Sequence, residues 1–213
     1  MKSRFFTIAS QKNSLITIQF ASGHFATGSS HISHYIDISE LKSSAAAAKE
    51  AARELAIPYY TNNIIDVIVY LEGTEIIAAY LADELLKPGL SVMNSDSEIR
   101  VITPMNSVHG NFIFHENIQE KIKNKNIMLM VASISTGATV KRAMQCIAYY
   151  GGNLVGVSAV FSAFPEISHH EVHSLFTYED IPGYRFYKPS DCDMCKAGNK
   201  LDALINSEGY TQI

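Results

Sequence analysis

Met130-Val131-Ala132-Ser133-Ile134-Ser135-Thr136-Gly137-Ala138-Thr139 is the stretch on which the reading of this chain turns. The apolar run Ile127 to Val131 has the length and composition of a strand buried on both faces. It empties into Ala132 to Thr139, a turn of small and hydroxyl residues with one glycine. Val140, Ala143, Met144 and Ile147 then recur on one face of a helix, which Gly151-Gly152 closes. A helix start leaves several backbone N–H groups without partners, with the positive end of the dipole behind them. Ser135, Thr136 and Thr139 add hydroxyls, Ser133 stands just before them, and Gly137 and Ala138 permit close backbone approach. The combination suits a phosphate monoester. The plainer alternative is that Ser and Thr only cap a helix. No Gly-Lys-Ser/Thr follows, so this is not a Walker loop.

The same strand, turn and helix order recurs upstream. Ile64 to Leu71 is an apolar run broken only by Asp66. Glu72-Gly73-Thr74-Glu75 reads as a tight turn, and Ile77, Tyr80, Leu81 and Leu85 mark a helix closed by Pro88-Gly89. An earlier helix carries Leu41, Ala45, Ala48, Ala52 and Leu55 on one face and stops at Pro58. Leu15 to Phe20, Ile99 to Thr103 and Leu154 to Phe161 read as strands, and Pro104 to Glu116 as a long polar loop. Repeated strand–turn–helix units predict an α/β fold, a doubly wound and mainly parallel sheet flanked by helices. Such sheets bind ligands beyond the carboxyl ends of their strands, which selects the turns 72–75 and 132–139.

With 213 residues, 47% of them hydrophobic and 18% charged, the chain is large enough for a substantial core and too apolar for a disordered one. The net charge of -4 gives no general reason to bind nucleic acid, which usually demands a basic face. No apolar run reaches the roughly 20 residues that span a bilayer, and the polar Ser10-Gln11-Lys12-Asn13 interrupts the N-terminal apolar run too early for a signal peptide. The expectation is a cytoplasmic protein with neither nucleic acid nor membrane among its partners, and with its three cysteines reduced.

The 130–139 segment resembles the 5-phosphoribosyl-1-pyrophosphate (PRPP) motif of type I phosphoribosyltransferases: an apolar strand, two acidic and two apolar residues, then Thr-Thr-Gly-Ala/Gly-Thr/Ser. Ser135 to Thr139 matches its second half. Gly23-His24-Phe25 with Ser29 to Asp37 is similar to the N-terminal hood segment of the orotate branch of that family. Leu71 to Ala79 occupies the place of its pyrophosphate-contacting turn, and Asp191 to Gly198 with Asn206 to Tyr210 resembles the Cys-x-x-Cys-Lys-x-Gly ending of some members. The resemblance implies a single phosphoribosyltransferase-like domain over 1–213, with a hood at 1–38, an α/β core at 39–165 and a C-terminal extension at 166–213 completing the hood or an edge. It also implies a homodimer, a ribose 5′-phosphate ligand (PRPP or a nucleotide) and, if the chain is active, transfer of phosphoribosyl to a pyrimidine-type base with Mg²⁺. Ser133, Ser135, Thr136, Gly137, Ala138 and Thr139, joined by Gly73 and Thr74, would take phosphate, and Phe25 and Tyr35 could stack on a base.

Three departures weaken the catalytic expectation. The two acidic positions of the motif fall on Val131 and Ala132, which offer neither charge nor an acceptor. Glu72 and Glu75 put carboxylates where the family meets a polyanion with small residues; they either coordinate a metal or simply favour a helix N-terminus. Between Pro88 and Glu120 the basic residues reduce to Arg100, with His109 and His115 beside it, where orotate enzymes carry Lys and Arg to neutralise pyrophosphate. An active enzyme would therefore have to use Glu72, Glu75 and His109 in new roles. A non-catalytic nucleotide binder on the same fold is the alternative.

Cys192 and Cys195 form a Cys-x-x-Cys that could hold zinc with His169, His170 and His173, or act as a redox pair. One Cys pair falls short of the four ligands of structural zinc, so no metal site is assigned and reduced thiols are the expectation. Cys146 lies in a helix and belongs to the core. His24, His31 and His34 sit in the hood segment, where core or surface roles compete with ligand contact.

Overall fold

The computed structural model describes residues 5–71, 73–89, 93–94, 97–107, 110–206 and 209–213. The chain runs through strands β1 (Phe5–Ala9), β2 (Thr17–Ala26) and β3 (His31–Asp37), helices α1 (Ser39–Ser43) and α2 (Ala45–Ala56), strand β4 (Val67–Tyr70), helix α3 (Glu75–Leu85) and strands β5 (Arg100–Ile102), β6 (Met105–Asn106) and β7 (Phe112–Ile113). It continues with helix α4 (Glu116–Gln119), strand β8 (Asn126–Ile134), helix α5 (Ala138–Tyr149) and strands β9 (Asn153–Ser162), β10 (Glu166–Ile167), β11 (His170–Thr177) and β12 (Phe186–Tyr187). Helix α6 (Asp193–Lys196) and strands β13 (Ala203–Asn206) and β14 (Gly209–Gln212) complete it.

The central sheet has the order β10-β11-β9-β8-β4-β5. All its pairings are parallel except β10 with β11. Strand β8 lies in the middle, and its side chains alternate between two cores as period 2 requires. Met128, Met130 and Ala132 join the core under α2 and α3, whereas Ile127, Leu129 and Val131 join the one under α5. Helices thus cover both faces, as the mainly parallel α/β reading requires. Asp66, the single polar residue in its apolar run, accepts the Asn126 N–H at 2.7 Å and so ties the start of β8 to β4.

A second sheet, the hood, has the order β12-β3-β2-β13-β14, with β1 beside β2. It draws on both ends of the chain: β13 runs parallel to β2, and β12 antiparallel to β3. Phe25, Ile32, Tyr35 and Ala203 form its small core.

Four local readings change. The first helix is two, because Ser44 leaves the helical region and caps α2, accepting from Ala47 N. Strand β8 extends through Ala132 and Ser133 to Ile134, so the turn begins only at Ser135; pairing with β9 continues to Ile134–Ser162 and holds these small residues extended. The polar 104–116 loop contains the β6–β7 hairpin. Past Pro165, where the sequence pattern loosens, β11 is an eight-residue strand whose pairing with β9 overrides its weak hydrophobic alternation. Among the described residues, no helix is long and apolar enough to cross a membrane.

Behind β9, Tyr59 is buried and its hydroxyl shares a 2.9 Å hydrogen bond with Ser158. It lies so close to Gly156 that a Cβ there would stand 2.3 Å from the ring. Gly156→Ala is therefore expected to destabilise the chain by about 1–3 kcal/mol, read as a lower urea midpoint at unchanged slope.

Candidate functional site

Strand β8 delivers Ser135 to the carboxyl edge of the central sheet. The turn into α5 is then made by Gly137, whose φ of +74° is left-handed. Most L-residues avoid that region, whereas glycine enters it freely. Gly137 is also the N-cap residue of α5, and having no side chain it makes no side-chain cap bond. Thr136 Oγ1 accepts only a long 3.4 Å bond from Ala138 N. The helix start therefore keeps its donor character toward whatever faces it.

A cavity of about 940 Å³ faces it. Ala132 to Val140 forms one wall, the hood hairpin at Thr27 to Ser30 with Tyr35 to Ile38 forms another, and Ile205, Asn206 and Gly209 close a third side. Ser133, Ser135, Thr136, Gly137, Ala138 and Thr139 are thereby gathered on one surface. Two cationic residues also line the cavity, Lys42 from α1 and Arg142 from α5. Arg142 donates to Gly110 O at 2.7 Å and to Thr139 Oγ1 at 3.4 Å, and it stands over the Phe112 ring. Its spacing of three from Thr139 put it on the same helical face, a signal the sequence reading passed over. Lys42 carried no such signal, because only the packing of α1 on α2 and α3 brings it to the turn at Gly73, where a Cβ would sit 3.1 Å from the Lys42 ammonium.

Other candidates fall elsewhere. Thr74 is fully buried, its hydroxyl donates inward to Leu71 O at 2.7 Å, and it lies outside the cavity lining. Gly73, with φ of +70°, lies under Lys42 and outside the cavity lining. Glu75 is exposed in the first turn of α3, the place the helix dipole favours for an acid. Phe25 is 1% exposed within the hood core, so it presents no face for a base, whereas Tyr35 does line the cavity. Glu72 and His109 lie outside the described residues. Val131 is buried against the α5 side, and Ala132 lies on the cavity side of the same strand.

Tyr184 joins hood and core. Its hydroxyl donates to Ser135 Oγ at 3.1 Å, and its ring meets Phe161 of the core and His34 of the hood. Burial raises the Tyr184 phenol above its usual range, partly opposed by the Ser135 bond, so the group stays a neutral donor. Burial with the nearby Asp37 and Tyr210 pushes Tyr35 up to about 12.

No protein-family model and no curated protein sequence matches the chain. Solved structures do. The Leishmania donovani UMP synthase matches with a TM-score of 0.54 at 17% identity, over 76% of this chain and 34% of that one. The chain thus spans about a third of that protein's length. Mycobacterium tuberculosis orotate phosphoribosyltransferase in complex with PRPP matches with a TM-score of 0.52 at 16% identity, over 69% of this chain and 82% of that one. This is the type I phosphoribosyltransferase fold.

Two outcomes are expected from this geometry. Gly137→Ala forces an L-residue into the left-handed region, with a Cβ 3.2 Å from Ile167 Cδ1, and should cost about 1–2 kcal/mol of stability in a urea titration. The second concerns His34, whose pKa burial lowers. With its folded value below the unfolded value of about 6.5, its contribution is complete above that pH and is lost as pH falls toward the folded value. The urea midpoint should decline as pH is lowered from about 7 to about 5.5, and His34→Phe should flatten that slope.

Proposed function

We propose that the chain binds a ribose 5′-phosphate, as PRPP or a nucleoside monophosphate, with the phosphate on the Ser135 to Thr139 loop. One observation carries this: the loop's left-handed glycine and uncapped helix start open onto a cavity of about 940 Å³, large enough for a nucleotide. Serine and threonine hydroxyls and backbone N–H groups supply directional donors. Lys42 and Arg142 supply positive charge at the same cavity, and hydrogen bonds involving charged groups are roughly twice as strong as neutral ones.

Binding without transfer is the favoured form of this reading. The positions that resemble the family's acidic pair are Val131, buried at 1%, and Ala132 at 4%. Neither can hold ribose hydroxyls or contribute an oxygen to a Mg²⁺ ion. Asp37 is the carboxylate among the described cavity residues, and it already accepts from the backbone N–H and hydroxyl of Ser39. These residues do not fit a Mg²⁺–PRPP complex, and no step through the metal is derived. The second reading, transfer of phosphoribosyl from PRPP to a pyrimidine-type base with release of pyrophosphate, rests on the fold and on the resemblance to orotate enzymes. A homodimer acting in the cytoplasm in nucleotide metabolism comes with the same resemblance.

Calorimetry of nucleoside 5′-monophosphates against their parent nucleosides tests the binding site. One or two charge-assisted hydrogen bonds at about 1.5–3 kcal/mol each predict at least about a tenfold preference for the monophosphate; equal affinity would remove the phosphate from the proposal. Orotate and PRPP turnover in Mg²⁺ separates the two readings, because about 1 s⁻¹ or more would establish the transferase.

A further inference from the structure

Away from the cavity, the hood and the C-terminal segment place four potential metal ligands together. His24 comes from β2, His31 from β3, Cys192 from the N-cap of α6 and Cys195 from within α6. One ligand atom from each lies within 4.8 Å of all the others. His24 Nε2 is 3.1 Å from His31 Nδ1, 3.5 Å from Cys192 Sγ and 3.7 Å from Cys195 Sγ, and Cys195 Sγ is 3.4 Å from His31 Nδ1. A tetrahedron with Zn–S near 2.3 Å and Zn–N near 2.0–2.1 Å has edges of about 3.4 Å between nitrogens and about 3.6 Å between nitrogen and sulfur. The cluster already has those spacings.

The surroundings orient His24 for this role. The β2–β3 register slips between Ser22 and Phe25, and a bulge of this kind re-aims a side chain. Gly23 makes room for it, since a Cβ there would stand 2.7 Å from an Asp202 carboxylate oxygen. That carboxylate accepts the His24 backbone N–H at 2.8 Å. His24 Nδ1 lies 3.0 Å from Asn199 O. A carbonyl only accepts, so the Nδ1 proton faces it and the Nε2 lone pair faces the two sulfurs and His31. This is the outer hydrogen bond by which metal-bound histidines are commonly held. His24 and Cys192 are 3% and 1% exposed, so the inner half of the cluster is shielded from water while Cys195 lies at the surface. Backbone bonds from Lys196 N to Cys192 O and from Gly198 N to Cys195 O, with Gly198 at φ +77°, wrap the Cys-x-x-Cys turn around its own sulfurs.

We propose that His24, His31, Cys192 and Cys195 form a closed structural zinc site. Two thiolates and two imidazoles neutralise a divalent ion and select zinc over the hard cations Mg²⁺ and Ca²⁺. All four positions are protein ligands, which leaves none open for a substrate, so the site's role is to fasten the N-terminal hairpin to the C-terminal segment. The histidines nearest in sequence play no part: His169 is fully exposed, and His173 packs against Tyr59 on the central sheet. The partners of the Cys pair come instead from the opposite end of the chain, more than 160 residues away.

The test uses the untagged full chain, purified without chelator after growth with added zinc. Elemental analysis is expected to give about one zinc per chain. Replacement by Co²⁺ should produce the visible bands of tetrahedral cobalt together with sulfur-to-cobalt charge transfer. Cys195→Ser alters an exposed thiol and His31→Ala a partly buried ring; each should bring zinc content close to zero while circular dichroism reports the remaining fold. Chelation of the wild type should lower its thermal midpoint, with re-addition of zinc restoring it. The proposal fails if the folded wild type holds no zinc and yields no cobalt bands. Full zinc in the Cys195→Ser variant, or a Cys192–Cys195 disulfide in freshly purified protein, would overturn it equally. None of these readouts depends on nucleotide binding, so the zinc proposal and the proposed function stand or fall separately.

Discussion

The structure depends on the pairing of one central strand. Strand β8 bonds to β4 on one side and β9 on the other, and its side chains feed two separate cores. Its axis is fixed from four directions, so the chain leaves it at a defined point and in a defined direction. A loop of serine, threonine and glycine has little rigidity of its own. Its position at Ser135 to Thr139 is inherited from the strand before it and the helix after it, and Gly137's left-handed backbone joins the two. Anion recognition by backbone N–H groups requires such fixed dipoles, because a donor that must reorganise loses much of its advantage.

The cavity above this loop is a joint product of both sheets. The core contributes the donors, and the hood contributes Tyr35 and the Thr27 to Ser30 turn. Tyr184 ties the two together through Ser135 and His34. The aromatic contacts and the buried, neutral histidine make this join apolar at its centre and polar at the cavity. Val131 and Ala132 fit the architecture of this corner. Valine at 131 suits the packing under α5, and alanine at 132 keeps the strand slim where the cavity begins.

Local order carried most of the core into the sequence. The apolar runs that became β4, β8 and β9, the helix stripes at 75–85 and 138–149, and the hydroxyl-rich turn between strand and helix were legible because each signal is contained within a dozen residues. What escaped was non-local. Strand β11 is held by its pairing with β9 more than by its own pattern, and the β6–β7 hairpin is too short to show a period. Lys42 reaches the site only because α1 packs against α2 and α3. His24 and His31, which the sequence leaves open between core, surface and ligand contact, come beside Cys192 and Cys195 only in the folded chain. The base-stacking reading of Phe25 failed because its ring fills the hood core, which composition alone does not reveal.

The hood's assembly from widely separated segments bears on how the chain folds. Strands β2 and β3 bond to β13 and β12, which follow the whole central sheet in sequence. The α/β core can form from near neighbours, whereas these pairings must close a long loop, which costs entropy and slows their formation. The small core of Phe25, Ile32, Tyr35 and Ala203 is complete only after that closure. The side of the cavity formed by Ile205 and Asn206 is therefore expected to arrive after the central sheet has formed.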